Sequence, residues 1–187
     1  KSPNYLWLGA YDAGLVRFNK IDETFVRYNL TANQMWMFYQ DHDGIIWIPT
    51  LGGGLDRFDP ENEKLTNYKH SKGDLNSISS NSLNYVYADK SSNILWIGGT
   101  AGIDKFEKSS GRVVKRYTRA GGFDIEGVMT IVGDDENNLW IGTDSGLIKF
   151  NPRTESLKIY TEKDGLPGNR FNFMGAVKSR DERVWFG

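Results

Sequence analysis

Asp134–Asn151 reads DDENNLWIGTDSGLIKFN. It holds an acidic turn, then Leu139-Trp140-Ile141-Gly142, a short loop, and Gly146-Leu147-Ile148-Lys149-Phe150. Alone, the acids, the Trp and the Gly loop would suggest a site. The rest of the chain repeats them. The Trp anchor recurs as Leu6-Trp7-Leu8-Gly9, Ile46-Trp47-Ile48-Pro49, Leu95-Trp96-Ile97-Gly98 and Val184-Trp185-Phe186-Gly187. Successive Trp residues stand 40, 49, 44 and 45 positions apart. A residue shared by every copy serves packing, so Trp7, Trp47, Trp96, Trp140 and Trp185 are expected in the core.

Working outward, each of the first four anchors is followed by a Gly-apolar-x-basic-Phe unit that ends at Phe18, Phe58, Phe106 or Phe150. Ten or eleven residues later comes Tyr28, Tyr68, Tyr117 or Tyr160. Upstream of the later anchors lies an apolar segment with Phe38, Val86, Ile131 or Ala176, which closes on Asp41, Asp89, Asp134 or Ser179. Four short strand candidates per unit of this length is the arithmetic of a β-propeller blade. We name the strands A to D: A carries the apolar segment, B the Trp, C the Phe and D the Tyr. Polar hairpin text such as Asp41-His42-Asp43-Gly44 joins A to B. Pro49 stands where its sisters have Gly, and its missing N–H predicts a bulge.

The expected fold is all-β, a β-propeller of four-stranded antiparallel blades. The chain supplies about four blades of a larger, seven-bladed ring. Its divisions are a partial blade at 1–30, blades at 31–70, 78–119 and 124–162, and a partial blade at 171–187. It starts and stops at a strand B, as a piece of something longer would.

Composition narrows the function. Lys+Arg 23 against Asp+Glu 24 leaves a net charge of -1, which gives no electrostatic case for nucleic acid or an anionic membrane. With no Cys and two His, neither a disulfide framework nor a Cys- or His-rich metal site is expected, and no cofactor is indicated. No apolar run approaches a membrane span. Gly52-Gly53-Gly54 lacks the Lys-Ser/Thr of a phosphate loop. The acidic turns lack the alternating ligands and closing Glu of a calcium loop. No catalytic constellation is present, so an enzyme is not expected.

With these residues in view, the chain resembles the two-component-regulator propeller repeat family. The family text runs roughly D-x-x-G-x-L-W-I-G-T-x-x-G-L-x-R-F-D-P. Asp134–Pro152 matches it almost throughout, and Asp41–Pro60 and Asp89–Phe106 match well. Asp164-Gly165-Leu166-Pro167-Gly168-Asn169-Arg170-Phe171-Asn172 is similar to text that such proteins carry shortly before an immunoglobulin-like domain. The resemblance implies the periplasmic ectodomain of an inner-membrane hybrid two-component sensor of Bacteroidetes type. Such a sensor recognises a glycan fragment and signals to a histidine kinase by rearranging its dimer. The implied partners are an oligosaccharide, the rest of the propeller, the immunoglobulin-like domain and a second copy. A protein-interaction scaffold is the alternative, with loops forming a flat patch. A propeller polysaccharide lyase or hydrolase comes last.

Function should lie in what the copies do not share. The loops joining D to A and B to C open on one face of the disc. A sugar site needs aromatic faces and planar polar groups. The candidates are Tyr11, Asp12, Trp36, His70, Arg119, Asp124, Arg170 and Asn172. Each has a plainer reading. Trp36 alternates with Met35 and Met37, as a packing residue would. Arg170 and Asn172 sit in shared family text and could fix a loop. His70 and Arg119 could be ordinary surface residues.

Overall fold

Aromatic and β-branched residues between tight polar turns favour short twisted strands. The computed structural model describes residues 4–88, 93–181 and 183–187. Asp89, expected to close a strand A, lies outside them. Blade 1 has β1 (Tyr5–Ala10), β2 (Gly14–Asn19) and β3 (Phe25–Tyr28). Blade 2 has β4 (Tyr39–Gln40), β5 (Ile46–Thr50), β6 (Gly54–Asp59) and β7 (Lys64–Tyr68). Blade 3 has β8 (Leu83–Ala88), β9 (Ile94–Gly99), β10 (Gly102–Glu107) and β11 (Arg112–Thr118). Blade 4 has β12 (Val128–Gly133), β13 (Leu139–Thr143), β14 (Leu147–Phe150) and β15 (Leu157–Tyr160). Blade 5 has β16 (Ala176–Lys178) and β17 (Val184–Phe186). Every pairing within a sheet is antiparallel between consecutive strands.

The shared residues form the seams between blades. Trp47 packs on Tyr68 of its own blade and edge-on to Phe106 of the next, with centroids 6.2 and 5.8 Å away. Trp7 does the same with Tyr28 and Phe58, and Trp96 with Tyr117 and Phe150. Trp140 stacks on Tyr160. Edge-to-face packing of this kind adds to the burial of large apolar area. Trp47 and Trp96 are buried and Trp7 and Trp140 partly so, but Trp185 is 57% exposed. That departs from the expected core position: β17 pairs with β16 alone.

The acid at the end of strand A has a specific task. Asp41 Oδ2 accepts the Trp47 Nε1 proton at 3.0 Å, and Asp134 Oδ2 accepts that of Trp140 at 2.8 Å. The same acids cap their hairpins through Oδ1, which accepts from the backbone of Ile45 and of Asn138. Burial pushes the Asp134 carboxyl up, but bonds from Asn138 and Trp140 outweigh it and hold the group below its ordinary value. The turn text therefore satisfies the donors of its own hairpin and of the Trp ring. Between blades 2 and 3, Lys108 Nζ reaches Asp41 at 3.4 Å with both side chains nearly buried.

Two glycine positions explain the spacing. A Cβ at Gly54, Gly102 or Gly146 would meet the carbonyl oxygen of the Tyr ending strand D at 2.3, 2.4 or 2.6 Å, and each has positive φ. A Cβ at Gly98 would meet Val128 Cγ1 at 2.4 Å, so that glycine lets the next strand A approach.

The bulge expected at Pro49 is absent. Its pairing with Leu55 continues the β5–β6 register without a shift. The proline acts on the other side of β5 instead. Strand A, as β4, pairs only Tyr39 with Trp47 and Gln40 with Ile46, and stops short of Pro49. Removing a ladder donor ended that strand rather than kinking its neighbour.

Candidate functional site

The loops entering each blade decide where a cavity can form. The third residue of Gly-x-x-basic-Phe faces the loop that leads into strand A of its own blade. In blade 2 this is Asp56, fully buried. It accepts from Thr31 N at 2.8 Å, Thr31 Oγ1 at 2.7 Å and Asn67 Nδ2 at 2.7 Å. In blade 3 it is Asp104, which accepts from Ser79 N at 2.7 Å, while its Oδ1 is buried with no partner. Burial raises the Asp104 carboxyl to about 6, against the lowering effect of Ser79, Arg116 and His70. Its cross-strand neighbour Arg116 grips the same loop through the carbonyls of Asp74 and Ser77, at 2.7 and 2.6 Å.

Blade 4 breaks this scheme. The paired positions hold Ile148 and Ile159. No carboxylate of strand C reaches out to the loop over 119–127, because β14 holds no acid. That loop ties itself together instead: Arg119 donates to Asp124 through Nε at 3.1 Å and Nη2 at 2.8 Å, and pairs with Glu126 at 2.8 Å. Beneath it opens a cleft of 790 Å³. Ile148, Ile159 and Met129 line its floor, and Asn84, Asp144 and Thr161 add polar groups. At its edge Phe173 stacks on Trp36 with centroids 4.5 Å apart and planes 10° apart, and Tyr11 packs on Trp36 at 5.0 Å. Tyr11 is 48% and Phe173 38% exposed. Trp36 Nε1 is buried without an acceptor, an arrangement that costs free energy until an oxygen reaches it.

Of the sequence candidates, Trp36, Arg119 and Asp124 line this cleft and Tyr11 touches it through Trp36. The others fall elsewhere. Asp12 is exposed in a turn with φ 62°. The His70 ring bonds through Nδ1 to the Ile78 carbonyl at 2.8 Å, and its backbone N–H donates to Asn81. It folds the long connection onto itself. Arg170 is exposed, and Asn172 donates its backbone N–H to Gly187 O at 3.0 Å. Phe173, Asp144 and Asn84 were missed. Phe173 precedes β16 in a turn and stacks its ring on Trp36.

No family model matches the chain. A curated relative, histidine kinase P4 of Formosa agariphila, is 24% identical over the whole chain, which spans 14% of that protein. Among solved structures, the extracellular domain of BT3049, assigned to the hybrid two-component systems of B. thetaiotaomicron, superposes with a TM-score of 0.86 at 21% identity. All of this chain and 26% of that one are covered. The fold is a propeller segment. Virginiamycin B lyase from Staphylococcus aureus shares it more distantly, with a TM-score of 0.73 at 14% identity over 60% of its length. The first two matches agree with the two-component-regulator resemblance of the repeat text. The chain spans about a quarter or less of each. Among the described residues no helix is long and apolar enough to cross a membrane, and no group of three His, Cys, Asp or Glu could hold a metal ion.

Proposed function

We propose that the chain is part of the ligand-sensing propeller of a periplasmic hybrid two-component sensor, and that the cleft over blade 4 binds a glycan fragment. The observation that carries this is the aromatic row Tyr11–Trp36–Phe173 beside a cleft edged with Arg119, Asp124 and Asn84. Sugars are held by C–H packing on aromatic faces and by planar groups at their hydroxyls. A fragment oxygen beside Trp36 would also satisfy its buried N–H. In the whole protein, occupancy would reach a histidine kinase through the rest of the propeller, an immunoglobulin-like domain and a dimer.

A flat interaction patch is the scaffold alternative, and a cleft of 790 Å³ is what such a patch lacks. Acid–base chemistry finds little here. Asp124 and Glu126 are bound to one guanidinium, and no described lining residue is His or Tyr. The test is calorimetric titration of plant and host oligosaccharides against this chain. Binding of one fragment class, abolished by Trp36→Ala with the circular dichroism unchanged, is the expected result. Silence across the panel, or binding indifferent to Trp36 and Phe173, refutes the proposal.

A further inference from the structure

The cleft has a sign. Its charged lining residues are Arg119, Asp124, Glu126 and Asp144, three carboxylates against one guanidinium. That guanidinium is already committed to Asp124 and Glu126 at 2.8 Å each, so an incoming anion finds no free cation. Asp144 is left without a basic partner among the described ion pairs, and its nearest bond is from Ser145 Oγ at 2.7 Å. Its carboxylate lies against Gly127, where a Cβ would come within 2.6 Å, so the absent side chain lets Asp144 approach the loop that carries Asp124 and Glu126. Trp36 and Phe173 also line the cleft, and aromatic π faces attract cations. An apolar floor of Ile148 and Ile159 lowers the local dielectric and strengthens the field at the mouth.

We propose that this cleft selects glycans bearing free amino groups, such as glucosamine oligomers, and disfavours uronate or sulfated fragments. A protonated amine fits between Asp144 and an aromatic face. A carboxylate or sulfate there would meet three like charges with no free donor of positive sign, and like-charge juxtaposition is how sites reject wrong partners. The inference rests on the glycan reading above and fixes the class of glycan.

The experiment titrates the chain with three fragments of equal length: a glucosamine oligomer, a neutral glucose oligomer and an oligogalacturonate. The glucosamine oligomer is expected to bind about tenfold tighter than the neutral one, and the uronate more weakly still, as one well-placed charge contact would give. Added salt should shrink the gap while leaving neutral binding in place, and Asp144→Asn should shrink it as well. A uronate that binds as well as the amine, or an amine no better than the neutral oligomer, overturns the inference and leaves the glycan reading standing. If no fragment binds, both fall.

Discussion

Blades 2 and 4 are cut from the same text and hold their entering loops in opposite ways. In blade 2 a fully buried Asp56 reaches out of strand C and takes three donors from Thr31 and Asn67. In blade 4 the same register positions are Ile148 and Ile159, and the loop closes on itself through Arg119 at the surface. The first arrangement fills the space under the loop with a satisfied polar knot. The second leaves an apolar floor, and there the cleft opens. Blade 3 lies between, with Asp104 holding Ser79 by one oxygen and leaving the other bare. In blade 4 the proposed site lies where that clamp is missing.

The largest break should come at the complete clamp. Asp56→Ala removes a fully buried carboxylate together with the three bonds that Thr31 and Asn67 donate to it, a loss of about 3 kcal/mol. Urea denaturation measures it; a midpoint unchanged from the parent chain would show that the clamp is ornamental. The converse change, Ile148→Asp, buries a carboxylate where no Thr31 or Ser79 equivalent waits. It should also cost about 3 kcal/mol, and the cleft floor would lose its ligand as well. Stability retained together with binding would mean that the loop over 119–127 can be recaptured.

Asp104 sharpens the comparison through pH. Its folded value of about 6 lies above the ordinary 3.8, so the folded state holds the proton more tightly than the unfolded chain does. Its charged form therefore destabilises above pH 6, and stability from this group rises as pH falls from 6 towards 3.8. Asp104→Asn keeps an acceptor for Ser79 and removes the charge. It should stabilise the chain at pH 8 by roughly 2 kcal/mol and by almost nothing near pH 4. A variant that is less stable than the parent at pH 8, measured by thermal melts across that range, would show the charge to be well compensated by Arg116.

Much of this was legible because it repeats. The Trp, Tyr and Phe of the seams, the glycines under strand D and the acid behind Trp47, Trp96 and Trp140 recur from copy to copy, because packing needs them wherever blades meet. The clamp was written too: the third residue of Gly-x-x-basic-Phe reads Val16, Asp56, Asp104, Ile148. Comparing that one column between copies would have shown that the acid is missing from blades 1 and 4. The aromatic row was not legible. Phe173 meets Trp36 only because blade curvature brings chain-distant loops together, and no local pattern encodes that. His70 illustrates the opposite error, where a long variable loop suggested a ligand and the residue instead binds its own loop.

The mildest test concerns what holds the blade 4 loop. Arg119, Asp124 and Glu126 are all substantially exposed, and ion pairs in water add little to global stability, because solvent and salt screen them. Arg119→Ala should leave the melting temperature within error of the parent chain. Its effect should be local. Without the guanidinium, two carboxylates two residues apart repel each other, and amide exchange at 121–127 should quicken while β12 and β13 stay protected. Glycan affinity should fall modestly, since the wall that carries Asp124 would no longer be held in place. If Arg119→Ala lowered the melting temperature as far as Asp56→Ala does, the surface pair would be acting as a true clamp. Blade 4 would then differ from blade 2 in where its loop is fastened and not in how firmly.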